Sequence, residues 1–168
     1  MTEVIAPAFW SVHRDIQAGR HTYYDFTGGR GSTKSSCISI EIVLGIMKDP
    51  QANAVVFRKV GNTISTSVFE QLLWAINVLG VDEKWHATTS PHKLIYKPTG
   101  QIILFRGLDA AQKMKSIKVS KGYIKYLWFE ELDEFSGEEE IRSVQQSVLR
   151  GGPSFVVFKS FNPPDQRQ

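Results

Sequence analysis

The chain has 168 residues, of which 42% are hydrophobic and 22% charged, a balance typical of one soluble globular domain with its own core. The formal net charge of +3 permits contact with nucleic acid without establishing it. A single cysteine, Cys37, excludes an internal disulfide and a cysteine-based zinc site. The sequence has neither a long apolar run nor a basic, apolar leader, so we expect a soluble protein that is not exported.

A strand, a glycine-rich loop and a helix start follow one another near the N-terminus. The run Tyr23–Thr27 predicts the strand, and the glycines after it let backbone N–H groups point at a polyphosphate. Lys34 would reach the β and γ oxygens, the hydroxyl of Ser35 would ligate Mg²⁺, and the helix would direct its positive end at the phosphates. The predicted nucleotide-binding residues are Gly28, Gly29, Arg30, Gly31, Ser32, Thr33, Lys34, Ser35 and Ser36.

This loop departs from the usual pattern at one position, because Thr33 stands before the lysine where glycine is common. On the loop alone, an ordinary glycine-rich turn that happens to be followed by Lys and Ser remains an alternative.

Strand and helix patterns alternate along the rest of the chain. Apolar spacing predicts a helix over 35–48 and another over 64–79, with the short buried strand 54–57 between them. Residues 84–107 contain three short strand-like pieces, and Pro98-Thr99-Gly100 predicts a hairpin between the last two. A strand over 126–129, a helix over 138–149 and a strand over 155–158 complete the pattern. Such alternation indicates an α/β fold whose ligands lie at the carboxyl ends of parallel strands.

Two carboxylates end the apolar strand at 126–129. In a nucleoside triphosphatase, Glu130 would hold Mg²⁺ through water, while Glu131 would polarise the water that attacks the γ-phosphate. The alternative is a solvated acidic turn. After the next strong strand, Ser160 is placed to sense the γ-phosphate, although a simple Ser/Asn turn before prolines explains the same residues.

Taken together, these pieces resemble the N-terminal ATPase region of phage terminase large subunits, most closely the PBSX-type group. The resemblance extends over nearly the whole chain, and terminases of this group accept both a small residue before the lysine and Glu at the first acidic position. The resemblance rests on five motifs: the loop at 28–36, Val56-Phe57-Arg58-Lys59, Phe105-Arg106-Gly107-Leu108-Asp109, Trp128-Phe129-Glu130-Glu131 and Ser160-Phe161-Asn162-Pro163.

The resemblance implies a P-loop NTPase domain over 1–168, of the RecA-like type with an additional strand and a catalytic glutamate. Its central sheet would be mainly parallel and flanked by helices. It also implies an ATP- and Mg²⁺-dependent motor that packages double-stranded DNA into procapsids. In that motor Glu131 would be the catalytic carboxylate, Ser35 and Glu130 would serve the metal, and Ser160 and Asn162 would couple hydrolysis to movement.

Two arginines are candidates for stabilising charge on the γ-phosphate, with Arg30 preferred over Arg58; either could instead be a surface arginine. The adenine base would stack on Phe9 or Trp10, unless both anchor an N-terminal helix in the core. Lysines between positions 113 and 121 would touch DNA phosphates, unless they only form a solvated face.

By the same resemblance, the partners would be double-stranded DNA, the terminase small subunit, the portal protein and further copies of this chain in a ring, without a membrane. The site of action would be the cytoplasm of an infected bacterium. We expect the ATPase domain to be incomplete at its C-terminus and the nuclease domain to be absent. Two alternatives are another P-loop DNA-dependent ATPase of the helicase or recombination type, and a truncated nucleotide-binding module without turnover.

Overall fold

A computed structural model describes residues 7–27, 33–58, 67–107, 117–132, 138–149 and 151–161. The helices in these ranges are α1 (Trp10–Gln17), α2 (Lys34–Lys48), α3 (Val68–Val78) and α4 (Glu138–Val148). The strands are β1 (Tyr23–Thr27), β2 (Ala52–Arg58), β3 (Trp85–Thr89), β4 (His92–Tyr96), β5 (Gln101–Gly107), β6 (Tyr123–Leu132) and β7 (Val156–Phe161).

The described strands form one seven-stranded sheet in the order β1-β7-β6-β2-β5-β4-β3. The neighbours β1, β7, β6, β2 and β5 pair in parallel. Strand β4 pairs antiparallel with β5, and β3 pairs antiparallel with β4. The predicted α/β fold is therefore confirmed, with a mixed sheet. The predicted hairpin is also confirmed, because β4 and β5 are antiparallel neighbours joined at residues 97–100.

Helices cover both faces of the sheet, which explains why its central strands read as continuous apolar runs. On one face, Ala54 and Val56 of β2 pack with side chains of α2 and α3 such as Ile38 and Leu72. On the other face, Val55 and Phe57 pack with Ile141 and Val144 of α4. No helix in the described ranges is long and apolar enough to cross a membrane.

The element boundaries differ modestly from those expected. Helix α2 begins one residue earlier, at Lys34, and β6 is much longer than the predicted apolar run 126–129. The described part of the helix expected over 64–79 is Val68–Val78; residues 64–66 lie outside the described ranges.

Gly122 is a position where only glycine fits, just before β6. Its φ is +68°, and an added Cβ would lie 2.1 Å from the backbone oxygen of Gln51. That oxygen also accepts the backbone N–H of Tyr123 at 2.9 Å, so it is held in place. Since positive φ and overlap with rigid backbone both cost energy, we expect Gly122→Ala to lower the free energy of unfolding by about 2–4 kcal/mol, measured by denaturant titration.

Gly100→Ala is the matched control. Gly100 also has a positive φ, +78°, but an added Cβ would have nothing within 4 Å. This substitution should therefore cost about 1 kcal/mol, for the backbone conformation alone. Equal losses at the two glycines would show that the contact with Gln51 relaxes freely.

Candidate functional site

The carboxyl ends of four neighbouring parallel strands lie along one edge of the sheet. Arg58 ends β2, Glu130 lies near the end of β6, Phe161 ends β7 and Thr27 ends β1. Helix α2 begins at this same edge with Lys34, because it follows β1 after a short connection. The described residues that the sequence predicts for the site therefore lie at or near the ends of adjacent strands.

Lys34 is the first residue of α2 and is buried, with 7% of its surface exposed. Its ammonium donates a hydrogen bond to the backbone oxygen of Phe161 at 2.5 Å. The lysine of the predicted phosphate loop is thus held at the end of β7, one residue beyond Ser160. Thr33 precedes it at the N-cap position, where its side chain makes no capping hydrogen bond.

Glu130 and Arg58 face each other across β6 and β2, where they are paired in register. Arg58 Nε lies 3.4 Å from Glu130 Oε2, and both side chains are largely shielded from solvent. A charge pair of this kind is screened less than a surface pair. Arg58, the second candidate for the γ-phosphate, is thus placed against the predicted metal carboxylate.

An open cleft of roughly 430 Å³ brings Ser35 and Glu130 together. A hydroxyl and a carboxylate are oxygen ligands of the kind that Mg²⁺ uses alongside waters and phosphate oxygens. Within the described ranges, no group of three or more His, Cys, Asp or Glu side chains could hold a metal by itself. The other residues lining the cleft are Ser67, Val68, Glu70, Gln71, Trp74 and Trp128.

Most of these lining residues belong to α3 or its start, and sequence reasoning missed them. Helix α3 follows β2, whose carboxyl end lies at the same edge, so its first turns had to begin near the site. That connectivity was the available signal. Gln71 also contacts α2, since its Nε2 lies 3.4 Å from Ser39 Oγ. Ser39 Oγ in turn donates to the backbone oxygen of Ser36 at 2.9 Å.

Ser160 lies in β7 and is buried, with 2% of its surface exposed. Its hydroxyl oxygen accepts a hydrogen bond from Trp128 Nε1 at 3.0 Å. The prediction of a polar side chain at a strand tip did not foresee this contact. Like the α3 residues of the cleft, Trp128 was given no role by the sequence analysis, because nothing in the apolar run around it indicates a polar partner.

Several predicted site residues lie outside what the structure describes. They include the loop residues Gly28, Gly29, Arg30, Gly31 and Ser32, and the coupling residue Asn162. The backbone of Glu131 belongs to β6, but its side chain lies outside the described part. Of the lysines proposed for DNA, Lys118 and Lys121 are described and exposed, whereas Lys113 and Lys115 are outside.

The residues proposed for the adenine base divide into two cases. Phe9 packs against the core, with its ring centroid 5.8 Å from that of Phe26, which favours the anchoring alternative. Trp10 is half-buried and meets His13 edge-on at 6.1 Å. His13 in turn bonds to Glu41 of α2, fastening α1 onto that helix.

Two ionisable side chains of α2, Glu41 and Cys37, are buried, and their burial shifts their pKa values. Burial raises the pKa of Glu41, while the contact with His13 partly opposes the shift. Burial also raises the pKa of the Cys37 thiol to about 12, so at neutral pH this cysteine is a packing residue and not a nucleophile.

Comparisons with known proteins bear on the family to which this chain belongs. A family model described as phage terminase large subunit matches residues 20–168. The terminase large subunit of Bacillus phage SPP1 is 44% identical over 172 residues, covering 100% of this chain and 40% of that protein. The PBSX phage terminase large subunit of Bacillus subtilis (strain 168) is 33% identical over 117 residues, covering 70% of this chain and 26% of that protein.

Solved structures share the fold at much lower identity. The N-terminal domain of the DNA packaging ATPase from bacteriophage phi29 superposes with a TM-score of 0.67 at 12% identity, covering 94% of this chain and 81% of that chain. The HK97 bacteriophage large terminase superposes with a TM-score of 0.63 at 17% identity, covering 94% of this chain and 33% of that chain.

The chain thus spans less than half the length of the two terminase subunits that it matches in sequence. The matches confirm the resemblance drawn from the loop, the acidic strand and the coupling segment. The chain belongs to the phage terminase large subunit family.

Proposed function

We propose that residues 1–168 form an ATPase motor domain that hydrolyses ATP with Mg²⁺ to drive double-stranded DNA into a viral procapsid. The observation that carries this proposal is the meeting of Lys34, Ser35 and Glu130 at one edge of the sheet, where Ser35 and Glu130 line one cleft. Family membership and the fold shared with a phi29 DNA packaging ATPase support it.

The strand order supports assignment to the P-loop NTPases, in the RecA-like class with an additional strand and a catalytic glutamate. Strand β7, which carries Ser160, lies between β1 and the acidic strand β6. Strand β7 therefore pairs with both the strand that precedes the predicted phosphate loop and the strand that carries the acidic residues, a position that suits a sensor of the γ-phosphate.

Each residue then has a role set by its position. Backbone N–H groups of the loop at 28–36 would bind the phosphates, helped by the N-terminus of α2. The ammonium of Lys34 would leave the Phe161 carbonyl and bind the β and γ oxygens. Ser35 would ligate Mg²⁺ directly, and Glu130 would hold it through water. When bound, Mg²⁺ supplies positive charge that shields the phosphates during transfer of the γ-phosphoryl group to water.

Two further side chains complete the proposed machinery. Glu131 would orient the attacking water and accept its proton, as a general base does. Arg30 would stabilise the charge on the γ-phosphate, and this assignment is preferred over Arg58 because Arg58 pairs with Glu130. Ser160 and Asn162 would sense the loss of the γ-phosphate and transmit it to a moving segment of the protein, which couples hydrolysis to movement.

The partners we propose are double-stranded DNA, the terminase small subunit, the portal protein and further copies of this chain arranged in a ring. The work would take place in the cytoplasm of the infected bacterium. Exposed Lys118 and Lys121 are the described residues that we assign to phosphate contacts.

The test is ATP turnover by the purified protein, alone and with duplex or single-stranded DNA of equal length. We expect duplex DNA to raise turnover by severalfold and its binding to weaken as salt rises, because phosphate contacts release counterions. Stronger stimulation by single strands would favour an ATPase of the helicase or recombination type. Nucleotide binding without turnover would favour a binding module.

A further inference from the structure

We propose that Trp128 is a positioning residue that keeps the end of β7 aligned with Glu130 when the nucleotide site is occupied. The inference rests on the proposed function. It adds to that function the hydrogen bond that connects the lining of the cleft to β7, the strand that carries Ser160. Neither the acidic pair nor the coupling segment includes this side chain.

The first step is the position of Trp128. It precedes Glu130 by two residues in β6, and side chains two apart in a strand point to the same face. Its ring is fully buried, and it lines the same cleft as Ser35 and Glu130. Any change in what fills the cleft therefore bears on this ring.

The second step is the bond to β7. The register pairs Trp128 with Phe158, so Ser160 lies one same-face position further along β7. The indole N–H reaches this diagonal neighbour and donates to Ser160 Oγ at 3.0 Å. Both groups are shielded from water, so a broken bond would leave a buried donor without compensation. The ends of β6 and β7 are thereby held together.

The third step concerns the other contact at the end of β7. Lys34 donates to the Phe161 carbonyl, one residue beyond Ser160. If Lys34 turns to bind phosphates, that contact is lost, whereas the bond from Trp128 does not depend on the lysine. Trp128 then still links the side chains of β6 and β7 beside Glu130 during turnover, in addition to the backbone pairing of the strands. Its loss should affect the chemical step more than nucleotide binding.

The experiment compares Trp128→Phe, Ser160→Ala and the double variant. Phenylalanine keeps an aromatic ring but removes the donor, and alanine removes the acceptor. We expect each single variant to lower kcat about 10-fold, which corresponds to one lost hydrogen bond in the transition state, while the KM for ATP changes less than twofold. Because both substitutions remove the same bond, the double variant should be no slower than the singles.

Trp85→Phe is the matched control. Trp85 is also buried, but it lies in β3 at the far edge of the sheet, packed on Tyr96. The same chemical change there should leave kcat unaltered.

Two results would overturn the inference: an unchanged kcat in Trp128→Phe, with or without a rise in KM, or fully additive losses in the double variant. If Trp128→Phe does not fold, an unchanged kcat in Ser160→Ala overturns the inference instead. Failure of the proposed function is distinguishable, because then the unaltered protein itself would not hydrolyse ATP, whether or not it binds an ATP analogue in a direct titration.

Discussion

Lys34→Ala is expected to weaken binding of an ATP analogue by about 100-fold and to reduce hydrolysis to background. Lys34 is the first residue of α2, and its ammonium is held in a buried position at the strand ends. Under the proposed function it exchanges a carbonyl for phosphate oxygens, and a charged hydrogen bond of this kind contributes about 1.5–3 kcal/mol. Calorimetric titration and phosphate release measure the two effects.

Lys48→Ala provides the control for this prediction. Lys48 belongs to the same helix but is exposed at its other end, where its ammonium donates to Gln17 at 3.2 Å. Removing this charge changes the net charge equally and should leave both binding and hydrolysis within about twofold, as surface substitutions usually do. A Lys34→Ala protein that is folded and still hydrolyses ATP would contradict the phosphate role.

Glu131→Gln is expected to lower kcat by about 10²–10⁴-fold while leaving nucleotide binding nearly intact. Glutamine has almost the same shape as glutamate, but it cannot accept the proton of an attacking water, and general bases contribute rate factors of this size. Single-turnover hydrolysis and equilibrium binding of a labelled nucleotide separate the two effects. Glu139→Gln, at an exposed position of α4, is the control and should behave as the unaltered protein.

Substitution of the neighbouring acid, Glu130, should have a different effect from substitution of Glu131. Glu130→Gln should raise the Mg²⁺ concentration needed for half-maximal activity, because we place Glu130 on the metal and not on the attacking water. If Glu131→Gln hydrolyses normally and Glu130→Gln does not, the two roles must be exchanged.

Much of this arrangement was accessible from the sequence because its signals are local. The apolar runs within β2 and β6 mark strands covered on both faces, and the spacing after Lys34 marks α2. Glu130 could be assigned to the site since it closes an apolar strand, and parallel strands present their ends at one edge. These features depend only on neighbours in the chain.

The unpredicted features depend on contacts between distant segments. An amphipathic pattern says that α3 buries one side, but not that Gln71 and Trp74 line a cleft with Glu130. Similarly, Trp128 reads as a core residue, and its bond to Ser160 exists only because β7 pairs beside β6. The strand order that creates both features is not encoded by any local motif.

The place of β7 in the sheet has a consequence for how the protein folds during synthesis. Of the described strands, β1 is synthesised before all the others, yet in the described sheet it pairs only with β7, which follows the other six in the chain. Until β7 has been synthesised, β1 has no pairing partner among the described strands. Such long-range pairing slows folding and exposes apolar edges to aggregation. A nascent chain should therefore acquire the proposed nucleotide affinity late and abruptly, once β7 has emerged.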